Sequence, residues 1–203
     1  MPNRYSYIDS DYIYTDPETG VLRNLVNATD SNTLTLIESG AVAKRIAELF
    51  ANPIEIKNSS TLLDIHRYLF QDIYSWAGKT RTVEISKGGK PFFPTSHFSN
   101  AFRCIDLLIE KYRRTENTDV AQLTYRLAEI LDNINYLHPF REGNGRAQRE
   151  FLRLLALEKG LSLNLNPADN VKVFERYMSG TIEGNVEQLA TLIFEIVTPV
   201  PPI

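Results

Sequence analysis

The sequence predicts an all-α protein with one small β-hairpin. Three observations support this: apolar residues recur at helical spacing along most of the chain, capping and stopping residues bracket those runs, and only one stretch alternates as a strand does. Leu34, Ile37, Val42, Ile46 and Leu49 with Phe50 predict a helix over about 31–50. Ser59 or Ser60 can cap the next, with Leu62, Ile65, Leu69, Ile73 and Trp76 on its inner face. A third is expected over 98–113. Asp119 and Gln122 form a candidate capping box for a fourth, whose stripe runs through Val120, Leu123, Leu127, Ile130, Ile134 and Leu137. Pro139 stops it. The next helix begins near Gly145, turns Phe151, Leu154 and Leu155 inward, and ends at Lys159 and Gly160. Two more follow over about 171–178 and 186–197, and the tail from Pro199 reads as a stop.

The exception to helix lies between the second and third. Thr82 to Ile85 alternate, Lys87-Gly88-Gly89-Lys90 supply a tight turn, and Pro91-Phe92-Phe93 return. Pro91 lacks an N–H and belongs on an edge strand. An exposed hairpin edge can accept a further chain by strand addition.

Composition excludes several function classes. The 203 residues suit one domain. With 22 basic and 25 acidic residues the net charge is -3, and no basic stripe points to nucleic acid as a partner. Cys104 is the only cysteine, so no internal disulfide is expected; Phe102, Ile105 and Leu108 at helical spacing suggest that it packs. No signal-peptide core and no membrane-spanning stretch is present, so a cytoplasmic protein with no membrane partner is expected.

The chemistry concentrates in residues 138–149, His-Pro-Phe-Arg-Glu-Gly-Asn-Gly-Arg-Ala-Gln-Arg. A turn opening a helix presents unpaired N–H groups and partial positive charge, which suits a phosphate. Gly143 and Gly145 let the backbone approach closely. Arg146 and Arg149, three apart, can direct both guanidinium groups at one polyphosphate. Glu142 is the acid in a cationic pocket, suited to Mg²⁺ bridging phosphates. His138 titrates near neutrality and can take a proton from a hydroxyl. Each feature alone has a commonplace structural use. Their order in one run, between two helices, argues for phosphate-ester chemistry.

His138, Phe140, Glu142, Gly143, Asn144, Gly145, Arg146 and Arg149 fill every fixed position of the pattern His-x-Phe-x-Asp/Glu-Gly-Asn-Gly-Arg-x-x-Arg, and the run resembles the signature of the Fic family of protein adenylyltransferases. Ile65-His66-Arg67-x-Leu69-Phe70, then Tyr74-x-Trp76-Ala77-Gly78-x-x-Arg81, resemble that family's approach to its hairpin flap, and Tyr14-Thr-Asp-Pro with Leu22-x-Asn24 resembles the opening of toxin and effector members. The resemblance implies a single Fic domain over 1–203, a helical bundle with an N-terminal extension to about 30, a flap at about 82–94, and the signature loop and helix at 138–159. It implies that His138 is the general base for a Ser, Thr or Tyr hydroxyl of a target protein, which attacks the α-phosphate of ATP and releases pyrophosphate. Glu142 would help hold Mg²⁺, Gly143, Asn144 and Gly145 would form the anion hole, and Arg146 and Arg149 would contact the outer phosphates. Phe140 would anchor the loop. Ile85, Ser86, Lys87 and Gly88 would line the flap edge for target and nucleotide. His66 and His97 match no catalytic position and are read as structural.

The intact Gly145 favours AMP transfer over the kinase chemistry of the Doc-like branch. A nucleotide-binding interaction module without transfer is the alternative from another class. Ser179 to Gly184 carry the letters of the family's inhibitory Ser/Thr-x-x-x-Glu-Gly motif, but Gly180 disfavours a helix there. The inhibitory glutamate, which would pair with Arg149, is therefore expected in trans from a small antitoxin-like partner. A toxin, or an effector translocated into a host cell, is the implied setting.

Overall fold

Helix α4 (Val120–Leu137) is the axis of the molecule: it packs along α7 (Val186–Ile196) on one side and α3 (Phe98–Arg114) on another, and also touches α5 (Asn144–Glu158) and α6 (Val171–Glu183). α5 packs in turn on α2 (Thr61–Phe70), and α2 on α1 (Ser31–Ala51). This computed structural model describes residues 6–7 and 12–200. Its strands are short: β1 (Ser6–Tyr7), β2 (Ile85–Lys87) and β3 (Lys90–Pro91) form an antiparallel sheet in that order, and β4 (Leu161–Ser162) pairs with β5 (Thr198–Pro199).

Local chemistry sets several of the ends. Asp30 caps α1 by accepting from the N–H groups of Asn32 and Thr33, and Asp119 caps α4 through Gln122 N–H at 3.0 Å. Gly88 and Gly89 both have positive φ, 58° and 78°, which is the two-residue turn that the right-handed strand twist prefers.

Elsewhere tertiary packing overrides the sequence pattern. The second helix stops at Phe70, and Ile73 and Trp76 are buried from the turns that follow it. Ser60 makes no capping bond, and Ser59 is drawn off to the α3 carbonyl of Phe102, its hydroxyl donating at 3.0 Å. In α1 the buried residues are Leu34, Glu38, Val42 and Leu49, so the inner face runs through a carboxylate, while Ile37 and Phe50 lie exposed. Cys104 is exposed, because α3 turns Ile105, Ile109 and Tyr112 inward. α6 continues through Gly180 to Glu183: a Cβ there would strike the Leu189 side chain of α7, so close helix approach outweighs the helical cost of glycine. The tail at 198–199 adds a strand to Leu161–Ser162.

Candidate active site

The end of α4 delivers His138. Its N–H still closes the last turn onto the Ile134 carbonyl at 3.0 Å, but Pro139 disfavours α conformation in the preceding residue, and His138 adopts φ 44°. A positive φ on histidine is uncommon and is held here by surrounding contacts. The ring is buried, and its Nδ1–H donates to the Asn135 carbonyl at 3.0 Å, leaving Nε2 as the acceptor nitrogen. Phe92 of the hairpin stacks on it, centroids 3.8 Å apart. Burial pushes the His138 pKa down to about 3, and the Lys87 and Arg81 charges act the same way, so the ring is a neutral base near pH 7.

The loop after His138 is held from behind. Phe140 is fully buried and stacks on His66 at 3.7 Å. Gly78 N–H donates to His66 Nδ1 at 2.9 Å, so Nε2 carries the proton and donates to the Glu142 carbonyl at 3.0 Å. Both bonds require the neutral ring, and burial lowers its pKa to about 3. Asn144 closes the loop with its side chain, Oδ1 accepting from Phe140 N–H at 2.9 Å and Nδ2 donating to the Phe140 carbonyl at 2.8 Å.

α5 then starts at Asn144, with Gly143 as its N-cap at φ 84°. A Cβ at Gly143 would drive into the Phe70 ring, so space and backbone angle both require glycine. Gly145, expected to share that freedom, sits in ordinary helical backbone, where a Cβ would meet Arg149 Nη1 at 3.3 Å. The Arg146 and Ala147 N–H groups turn back to the Gly143 carbonyl at 3.2 and 3.1 Å, which leaves the N–H groups of Asn144 and Gly145, ahead of the first helical bonds of α5, for an outside acceptor.

Arg146 lies over the Phe70 ring at 4.7 Å and donates to Glu38 at 2.5 Å, with Glu142 at 3.9 Å. Tyr74 hydroxyl takes the other Glu38 oxygen in a short bond. Arg149 lies over Phe174 and Tyr177 at 5.5 and 5.7 Å and, among the described residues, is in no ion pair. Glu183 instead accepts from the Ser179 hydroxyl at 2.9 Å on an exposed stretch of α6. Glu142 Oε1 accepts from Gly143 N–H at 3.0 Å and remains half-exposed. Among the described residues no three His, Cys, Asp or Glu side chains are grouped to hold a metal by themselves.

Arg81 joins the hairpin to this loop. It is fully buried, donating Nε–H to the His138 carbonyl at 2.9 Å, Nη1–H to the Val83 carbonyl at 2.7 Å and Nη2–H to the Phe93 carbonyl at 2.6 Å. Its backbone N–H donates to the Pro139 carbonyl at 2.7 Å. That grip holds Val83 to the body, and β2 begins only at Ile85. Ile85 is buried, Ser86 and Lys87 are half-buried, and Gly88 is at the exposed tip.

The structure therefore sets His138 at the end of α4 under Phe92 of the hairpin, Glu142 and Gly143 on the loop that follows, and Asn144, Gly145, Arg146 and Arg149 on the first two turns of α5. Glu38, Arg81 and Phe92 were not singled out as site residues from sequence. Glu38 left one signal, a carboxylate falling in step with Leu34 and Val42 on an apolar face.

Comparison with known proteins agrees with this geometry. The family model described as Fic/DOC family matches residues 56–156. The chain is 34% identical over 188 residues to Protein adenylyltransferase VbhT of Bartonella schoenbuchensis, covering 92% of this chain and 39% of that protein's length. It is 31% identical over 194 residues to a Sinorhizobium fredii protein named "Probable protein adenylyltransferase y4lH", covering 95% of this chain and 97% of that one. Among solved structures, BepC, a VirB-translocated effector of Bartonella tribocorum with bound AMPPNP, superposes with a TM-score of 0.81 at 21% identity, over 93% of this chain and 97% of that chain. With its signature run leading from the end of α4 into α5, and Phe92 of the hairpin stacked on its histidine, the chain belongs to the Fic/DOC family.

Proposed function

We infer that the protein is an ATP-dependent protein adenylyltransferase. The observation that carries this is the state of His138: the Asn135 carbonyl fixes its proton on Nδ1 and leaves Nε2 as the acceptor, on the short loop that runs from α4 into α5. A Ser, Thr or Tyr hydroxyl of a target protein gives its proton to Nε2 as its oxygen bonds to the α-phosphorus of ATP. The bond from that phosphorus to the bridging oxygen breaks, and pyrophosphate leaves. The α5 N–H groups receive phosphate charge. Arg146 and Arg149 serve the outer phosphates. Glu142 is a single carboxylate at the site, which suits Mg²⁺, an ion that fills its shell with phosphate oxygens and water. When bound, it would neutralise charge on the leaving group.

The hairpin edge, from Ile85 to Gly88, aligns the target's extended segment by main-chain bonds. Arg149 stands without a carboxylate among the described residues, and Glu183 is engaged by Ser179. Both support inhibition by a glutamate from a second, antitoxin-like chain. The setting is a toxin or a translocated effector, and among the described residues no helix is long and apolar enough to cross a membrane.

Incubation with ATP labelled at the α- or γ-phosphate tests the reaction. Protein-bound label from the α-position alone is expected, falling about 10²–10⁴-fold in His138→Ala. Label from the γ-position would assign kinase chemistry instead.

A further inference from the structure

We propose that the chain's own strand around Ser6–Tyr7 occupies the hairpin edge at which a target segment docks, and that a target of similar chemistry binds by exchanging with it. The proposal rests on the hairpin being the docking element.

A hairpin has two outer edges, and the structure closes one. Along the β3 side Pro91 has no N–H. The Phe93 N–H donates to the Tyr136 carbonyl at 3.0 Å, and the Phe93 carbonyl accepts from Arg81 at 2.6 Å. The Phe92 N–H turns inward to the Ile85 carbonyl at 3.1 Å. Strand addition is left to the outer edge of β2. β1 lies along that edge, antiparallel, with Ser6 opposite Ser86 and Tyr7 opposite Ile85. β2 is thus the central strand of its sheet.

The same hairpin lays Phe92 on His138, so this edge belongs to the element that covers the base. The pairing spans only two residues on each strand, a length that is marginal in water and open to exchange. Charge is complementary: residues 5–12, Tyr-Ser-Tyr-Ile-Asp-Ser-Asp-Tyr, hold two aspartates and no basic residue, while the hairpin carries Lys87 and Lys90. The partner that fits is an extended acidic segment bearing tyrosine or serine.

The experiment compares the full chain with one lacking residues 1–9, which retains the buried Tyr14 and the Thr15–Leu22 bridge. Equal circular dichroism spectra establish that both fold. Amide hydrogen exchange at residues 85–87 is expected to quicken about tenfold on truncation. A fluorescent synthetic peptide of residues 1–12 is expected to bind the truncated chain saturably, and the full chain about tenfold more weakly. Unchanged exchange, or a peptide that binds both chains equally or neither, overturns the proposal. Neither readout uses ATP, so this failure is distinct from a failure of AMP transfer.

Discussion

Arg81 donates its Nε proton to the backbone carbonyl of His138 across 2.9 Å, and so one buried guanidinium holds both the candidate base and the hairpin that covers it. The fork of the side chain matters: three carbonyls on three segments receive its protons at once. Lysine keeps the charge but cannot span them.

Arg81→Lys is therefore expected to cost about 3 kcal/mol, since buried acceptors lose their donors. For a chain of this size that lowers the melting temperature by roughly 6–12 °C. Transfer activity is expected to fall further than stability explains, because the His138 backbone and the Phe93 end of the hairpin come loose together. A melting temperature within about 2 °C of wild type would show that the grip is dispensable.

The two buried histidines give folding a pH dependence. Both have folded pKa values near 3 against an ordinary 6.5, through burial in each case. Between those values the unfolded chain binds protons that the folded chain refuses, so their stability contribution is complete above pH 6.5 and is lost as pH falls toward 3. The slope is up to about 1.4 kcal/mol per pH unit for each ring. Imidazole NMR signals of His66 and His138 are expected to remain those of the neutral ring down to about pH 5. Titration near 6.5 would contradict the burial argument.

Gly143→Ala meets two obstacles, a φ of 84° and the Phe70 ring where its methyl would go. Together they are expected to cost about 3 kcal/mol. The paired variant Gly143→Ala with Phe70→Leu removes the clash but not the backbone strain. Thermal melts should then show partial recovery, and complete recovery would mean that the φ carries no cost.

Glu38 holds Arg146 at 2.5 Å with Tyr74 on its second oxygen, in a buried position. Burial and the neighbouring carboxylate raise the Tyr74 pKa, so the phenol keeps its proton and remains the donor. Glu38→Gln keeps the shape and loses the charge. Weaker placement of Arg146 should reduce kcat/KM for ATP about tenfold. Nucleotide titration and steady-state kinetics separate this from simple unfolding, and unaltered kinetics would leave Glu38 a purely structural anion.

The signature run was legible because its chemistry is contiguous: a base, a glycine at the helix entrance and two arginines lie within residues 138–149. The Gly88-Gly89 turn was legible for a similar local reason, since few other residues accept two positive φ values in succession. Arg81 and Glu38 were not. Their roles come from partners 57 residues away at His138 and far along the chain at Arg146, and nothing local marks such pairings. The burial of Glu38 on an apolar face was visible only as a polar residue out of place.

By itself the sequence determined the all-helical class, the hairpin turn and the signature run of residues 138–149, because periodicity, capping and positive-φ glycines act over a few residues. The tertiary structure alone decided that His66 is a neutral donor to the Glu142 carbonyl, that Cys104 faces outward, that α6 runs through Gly180, and that the N-terminal strand lies on the hairpin edge. Each of these depends on which surfaces meet when helices pack, and burial, not residue type, then sets protonation, exposure and pairing.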